Sequence, residues 1–151
     1  MGLTDALGPG PVAVDTAPFI YLIERHPRYL PVVRPLFAAA DAGALDIVTS
    51  GLTLLEVLVV PWREGQDALA RRYEALLTGS RGVRVVELGQ PLLRQAALLR
   101  ARHGVGTPDA IQLAAGLLSG CTAFVTNDRR LPEIPWLLII QLADQAPPRT
   151  P

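Results

Sequence analysis

The chain contains no lysine; all 14 of its basic residues are arginine. A phosphate-binding P-loop needs its Gly-Lys pair, and phosphate-receiver domains and Schiff-base enzymes need a lysine as well, so these classes are excluded. Cysteine is nearly absent. Cys121 stands alone, which rules out an internal disulfide, and its place at the head of an apolar run reads as a small buried hydrophobe in a reducing cytoplasm. No apolar stretch approaches the roughly 18 residues that span a bilayer, and no basic segment followed by an apolar run opens the chain, so neither membrane insertion nor secretion is expected. Net charge is lacking too, since 14 acidic residues balance the 14 basic ones. That argues against a protein held to nucleic acid by bulk charge; any polyanion contact must be local. The arginine-only usage reads as compositional bias rather than selection for a planar, phosphate-matching fork.

What is present is enough for one well-buried core and too little for two: 151 residues, 50% hydrophobic and 19% charged. Residues 1–11, with Gly8, Pro9 and Gly10 at their end, read as a flexible leader. Val12 to Val14 reads as a short buried strand ending at Asp15, and Thr16 to Arg25 as a helix with Phe19, Ile20, Leu22 and Ile23 on one face. A second helical pattern, bent at Pro35, runs from near Pro31 to Gly43, before a strand from Leu45 to Thr49. Helices are expected from Ser50 to about Pro61, from Glu64 to Leu77, from Pro91 to Arg102, and from Thr107-Pro108 onward. Strands are expected at Val83–Leu88, Cys121–Val125 and Leu137–Leu142. Alternating strands and helices imply parallel pairing, hence an α/β fold: a three-layer α/β/α domain over residues 12–142 around a mainly parallel sheet of about five strands. Residues 143–151, rich in proline, read as a disordered tail.

Four carboxylates fall where such a sheet would gather them, at the carboxyl ends of strands or the starts of helices: Asp15, Glu56, Asp109 and Asp128. Each has a local explanation. Asp15 could cap the first helix; Glu56 could close a capping box from Thr53, unless Ser50 is the cap; Asp109 follows Thr107 as cap and Pro108 at the first helical position, where an acid complements the dipole; Asp128 sits in a Thr126-Asn127-Asp128 turn. Four local explanations would have to hold together, whereas like charges converging on one edge need a cation among them. The residues therefore point to magnesium-dependent phosphodiester chemistry.

Those residues also carry a resemblance. Val14-Asp15-Thr16 with Tyr21 downstream, Thr49 through Glu56 leading to Pro61, Thr107-Pro108-Asp109-Ala110-Ile111 with Ala114, and Phe124 through Asp128 together resemble PIN-domain ribonucleases, and more narrowly the VapC-type toxins of bacterial toxin–antitoxin pairs, from Val12 to about Leu142. The resemblance implies that Asp15, Glu56 and Asp109 hold divalent metal, with Asp128 as a fourth, more variable acid and Thr126 as a hydroxyl that orients water or an acid. It implies magnesium or manganese as cofactor, single-stranded RNA as substrate, a cytoplasmic location, and a small cognate antitoxin that sets a basic side chain into the acidic groove. The leader before Val12 is longer than is usual for the family.

The chemistry agrees. Magnesium takes hard oxygen ligands and keeps several waters, so a few carboxylates and a substrate phosphate suffice, and no histidine is required. His26 and His103 read as helix-end residues. Arg25, Arg28, Arg63, Arg129 and Arg130 follow elements that end near the expected crevice and are candidates for phosphate contact. Apolar stripes on the helix before Gly43 and on Glu64–Leu77 would allow a homodimer. Three alternatives stand beside this reading. A haloacid-dehalogenase-like phosphotransferase would need a second aspartate at Ala17 and a lysine, and has neither. A PIN-like nuclease of RNA processing would have no antitoxin. A non-catalytic α/β module would use its acids only to cap helices and bind a partner's arginines.

Overall fold

The computed structural model describes residues 2–149. In chain order its elements are α1 (Leu3–Ala6), β1 (Val12–Val14), α2 (Thr16–Ile23), α3 (Leu30–Asp41), β2 (Ile47–Ser50), α4 (Gly51–Arg63), α5 (Asp67–Gly79), β3 (Val83–Val86), α6 (Gln90–His103), α7 (Thr107–Leu118), β4 (Ala123–Thr126), β5 (Leu138–Gln141) and α8 (Leu142–Gln145). The strands form one sheet in the order β3-β2-β1-β4-β5, and every pairing in it is parallel. The three central strands, β2, β1 and β4, are buried along their whole length, which is why they read as short apolar runs rather than alternating ones.

Strand residues alternate between the two faces, and the alternation sorts the core into two layers. Val12, Val14, Ile47 and Val125 join α2, α3, α4 and α5 on one face, while Ala13, Val48 and Phe124 join α6 and α7 on the other. Right-handed crossovers explain the split. Stepping from β1 to β2 to β3 puts all intervening helices on one side; the return past β1 to β4 steps the other way and puts α6 and α7 on the opposite side. The order therefore reverses between β1 and β4, the kind of place where open α/β sheets form their crevice. The larger layer is anchored by Phe19, fully buried and edge-on to Phe37 at 5.2 Å between ring centres.

Two glycines are required by close approach. A Cβ on Gly116 of α7 would lie 2.8 Å from the Ala13 Cβ of β1, so α7 packs directly on the central strand. Gly82, at φ +77°, leads into β3 where a Cβ would lie 2.3 Å from the Ala40 carbonyl oxygen.

The expected leader contains a helical turn. Leu3 of α1 is 2% exposed and belongs to the larger core layer, with α1 against α3. Burying one leucine contributes about 1.5–3 kcal/mol towards the cost of ordering this turn. The stretch expected as tail begins inside α8, while residues 1, 150 and 151 lie outside those described. Helix starts differ by up to three residues from expectation, most at α5, which begins at Asp67 rather than Glu64; at α7 the cap is Gly106 rather than Thr107, which becomes the first helical residue. Among the described residues no helix is long and apolar enough to cross a membrane.

Candidate active site

The β1 strand ends at Val14, and the next residue, Asp15, does two things at once. One carboxylate oxygen, Oδ1, accepts from the Thr16 N–H at 2.8 Å and caps α2; the other, Oδ2, accepts from the Thr126 hydroxyl at 2.8 Å across the β1–β4 junction. Capping and site membership are therefore not alternatives here. Thr126 in turn accepts from the Asp128 N–H at 3.0 Å, so the last residue of β4 ties the two aspartates together.

The ambiguity at Glu56 is resolved by Ser50. Its Oγ accepts from the Leu52 N–H at 3.2 Å and caps α4, so Thr53 has no capping duty and Glu56 lies in the second turn. The exposed Glu56 carboxylate accepts from the Thr16 hydroxyl at 2.7 Å. Asp109 enters from the first turn of α7, which the Gly116–Ala13 approach brings against the sheet. Asp15, Glu56, Asp109 and Asp128 thus line a single cleft of about 400 Å³, together with Thr16, Ala17, Ile20, Pro108, Gln112 and Arg130.

Electrostatics distinguishes the acids. Burial, and then the charges of Asp128 and Asp15, push the Asp109 carboxyl up to about 6. Burial also raises Asp15, against the hydrogen bonds from Thr126 and Thr16 that favour its charged form. Asp128 goes the other way: hydrogen bonds from Arg130 hold it below the usual carboxylate range. Arg130 meets it as a fork, Nε to Oδ1 and Nη2 to Oδ2, both at 3.0 Å, while its backbone N–H reaches Oδ1 at 2.9 Å.

Arg130 thus supplies a counter-charge to the converging acids. Of the five arginines singled out, Arg130 alone lines the cleft; Arg129 pairs with Asp144, and Arg28 lies over the Tyr29 ring. Neither histidine joins the acids: His26 Nδ1 accepts from the backbone of Arg28 and Tyr29, and His103 ends α6. Sequence reasoning missed the neutral floor of the cleft, Thr16, Thr53 and Gln112. Helical spacing held a signal for two of them, since Gln112 lies one turn beyond Asp109 and Thr53 one turn before Glu56.

The donor set fits magnesium or manganese by its chemistry. All candidate ligands are hard carboxylate oxygens, and the site already draws a cation in Arg130. Among the described residues no three acidic, histidine or cysteine side chains are grouped as ligands of one ion, with Glu56 held by Thr16 and Asp128 by Arg130. Magnesium bound through one or two carboxylates and completed by water and phosphate does not need three.

A model of the PIN domain family matches residues 12–137. Among solved structures, a toxin–antitoxin complex from Klebsiella pneumoniae is 21% identical, with TM-score 0.62, covering 85% of this chain and 96% of that one. VapBC2 from Rickettsia felis, bound to a DNA fragment from its promoter, is 15% identical with TM-score 0.68, over 86% and 97%. Mycobacterium tuberculosis VapC20, a Sarcin-Ricin loop cleaving toxin, is 22% identical with TM-score 0.60, over 75% and 86%. At these identities the likeness is one of fold. No curated protein matches the chain in sequence.

Proposed function

The chain belongs to the PIN domain family, and from that premise we propose that it is a magnesium- or manganese-dependent endoribonuclease acting on single-stranded RNA, the toxin of a type II toxin–antitoxin pair. The observation that carries this reading is the meeting of four carboxylates from separate parts of the chain in one open cleft at the sheet's reversal point. A module that used these acids only as caps would leave no reason for Glu56, which caps nothing, to face the same space.

Asp15, Glu56, Asp109 and Asp128 would hold the metal, which when bound lowers the pKa of a coordinated water and neutralises charge on the scissile phosphate. The remaining chemistry belongs to the chain's own groups. Thr126 fixes Asp15 Oδ2, and the Thr16 N–H fixes Oδ1, so this carboxylate is held without losing its outer lone pairs. Asp109 must be ionised to serve, so a proton, which the metal-free site holds up to about pH 6, competes there with the cation. Arg130, exposed at the rim of the cleft, is suited to meet a phosphate oxygen once it leaves Asp128. The toxin assignment draws on the solved complexes of similar fold, in which the relatives are joined to antitoxins. A cognate antitoxin would present an arginine or lysine to the acids, in the place Arg130 now holds.

Cleavage of a single-stranded RNA by the purified protein tests the proposal. Activity that requires magnesium or manganese and falls at least about 100-fold in Asp15→Asn and Asp109→Asn, with the melting transition intact, is the expected result. Full activity in either variant, or activity that survives chelation, contradicts it.

A further inference from the structure

Beneath the acids lies a closed set of neutral polar side chains, Thr16, Thr49, Ser50, Thr53 and Gln112, none more than 8% exposed. Burying such groups without partners costs about 1–3 kcal/mol each, so they persist here only because they satisfy one another. Their donors and acceptors can be followed in one direction. Ser50 Oγ, already accepting from the Leu52 N–H, donates to Gln112 Oε1 at 2.8 Å. With its oxygen so committed, Gln112 turns Nε2 to the Thr53 hydroxyl at 2.8 Å and the Thr16 hydroxyl at 3.2 Å. Thr53 closes the set, lying 2.7 Å from Thr49 Oγ1 and 3.2 Å from Thr16 Oγ1. Thr16 accepts from the amide and sends its own proton to Glu56 Oε1 at 2.7 Å. The opposite amide orientation would set oxygen against the Thr16 oxygen, whose proton is already spent on Glu56, so the network itself assigns the amide.

Of the four acids, Glu56 has the longest side chain and is the most exposed. Asp15 is held by Thr126 and its own cap, and Asp128 by Arg130; among the described residues Glu56 is held by Thr16. We propose that Gln112 is a positioning residue for the metal-binding site: through the Thr16 hydroxyl it fixes Glu56 Oε1 and leaves Oε2 for a divalent cation. This inference rests on the nuclease reading above. It assigns a task to a glutamine that touches no reacting atom but orients a ligand, in the way that groups behind metal ligands commonly do.

The test uses Gln112→Met, which keeps length and loses the amide, Thr16→Val, which keeps shape and loses the hydroxyl, Thr16→Ser, which restores it, and the Thr16→Val/Gln112→Met double variant. Two magnesium midpoints are read for each: that of RNA cleavage, and that of the rise in melting temperature without RNA. Gln112→Met and Thr16→Val are each expected to raise both midpoints about 10- to 100-fold, with KM for RNA unchanged and Thr16→Ser near the parent value. The double variant is expected to match Thr16→Val, because both changes cut one chain of contacts. Melting in chelator reports the structural cost separately. A folded Gln112→Met with parental midpoints overturns the inference, as do additive losses in the double variant. If Gln112→Met does not fold, parental midpoints in Thr16→Val overturn it equally. A parent protein with no magnesium response at all overturns the nuclease reading and this inference with it.

Discussion

Asp109 is the residue at which the cost of the site is concentrated. Its folded-state pKa, about 6, stands above the ordinary value of 3.8, so between those limits the folded protein holds a proton that the unfolded chain has lost. The sign follows: stability falls as pH rises through about 6, and the penalty disappears as pH falls towards 4. In chelator at pH 7, Asp109→Asn should therefore melt above the parent. Loss of the acid's interaction with the α7 dipole, about 0.3–1 kcal/mol, and of attraction to Arg130 works against the gain, leaving a rise of roughly 1–3 °C. The difference should close by pH 4.5. A variant that melts lower at pH 7, by a margin that does not change with pH, would mean that Asp109 is only a helix-start residue.

Arg130 gives the complementary case. Arg130→Gln should lower the magnesium midpoint severalfold by freeing Asp128, and raise KM for RNA by removing a phosphate contact. A midpoint that moves up instead would show the guanidinium helping the metal rather than competing with it. The acids were legible in the sequence because each falls near a strand end or helix start whose local pattern is strong, whereas Thr126 was reached only through the family resemblance. Thr16, Thr53 and Gln112 were not legible, because a buried threonine or glutamine acquires meaning only from its neighbours on other elements.

Among the elements, α7 decides whether the site assembles. It delivers Asp109 and Gln112, and it reaches them only because Gly116 lets the helix lie against β1. Gly116→Ala would set two methyl carbons 2.8 Å apart, and overpacking of this kind costs about 1–3 kcal/mol. Shifting the helix should also weaken the magnesium response. Adding Ala13→Gly removes the opposing methyl and should recover part of both losses, as melts of the single and double variants would show; a neutral Gly116→Ala would mean that α7 has slack. Element types and order were readable because the buried strands are short apolar runs and the helices carry strong punctuation. The boundaries were less so. Gly106 displaced Thr107 as the α7 cap, and the α1 turn escaped notice because four residues have too little periodicity to register; Leu3 is held by packing, not propensity.

For the whole molecule, zero net charge combined with an acidic cleft means that recognition is set by local charge rather than by an overall field. A cationic side chain from a partner and a divalent ion should therefore compete for the same oxygens. Binding of a cognate antitoxin is expected to weaken as magnesium is raised, and to weaken in Asp109→Asn. An affinity indifferent to both would place the partner elsewhere.

The central claim, that the four acids form one metal site, is tested most directly by titrating the metal-free protein into manganese and following the free-ion signal by electron paramagnetic resonance. The parent protein should deplete that signal saturably, while Asp15→Asn and Asp109→Asn, folded by their melting transitions, should deplete it at least about tenfold less effectively. Equal depletion by the parent and both variants, or none by the parent, would contradict the account.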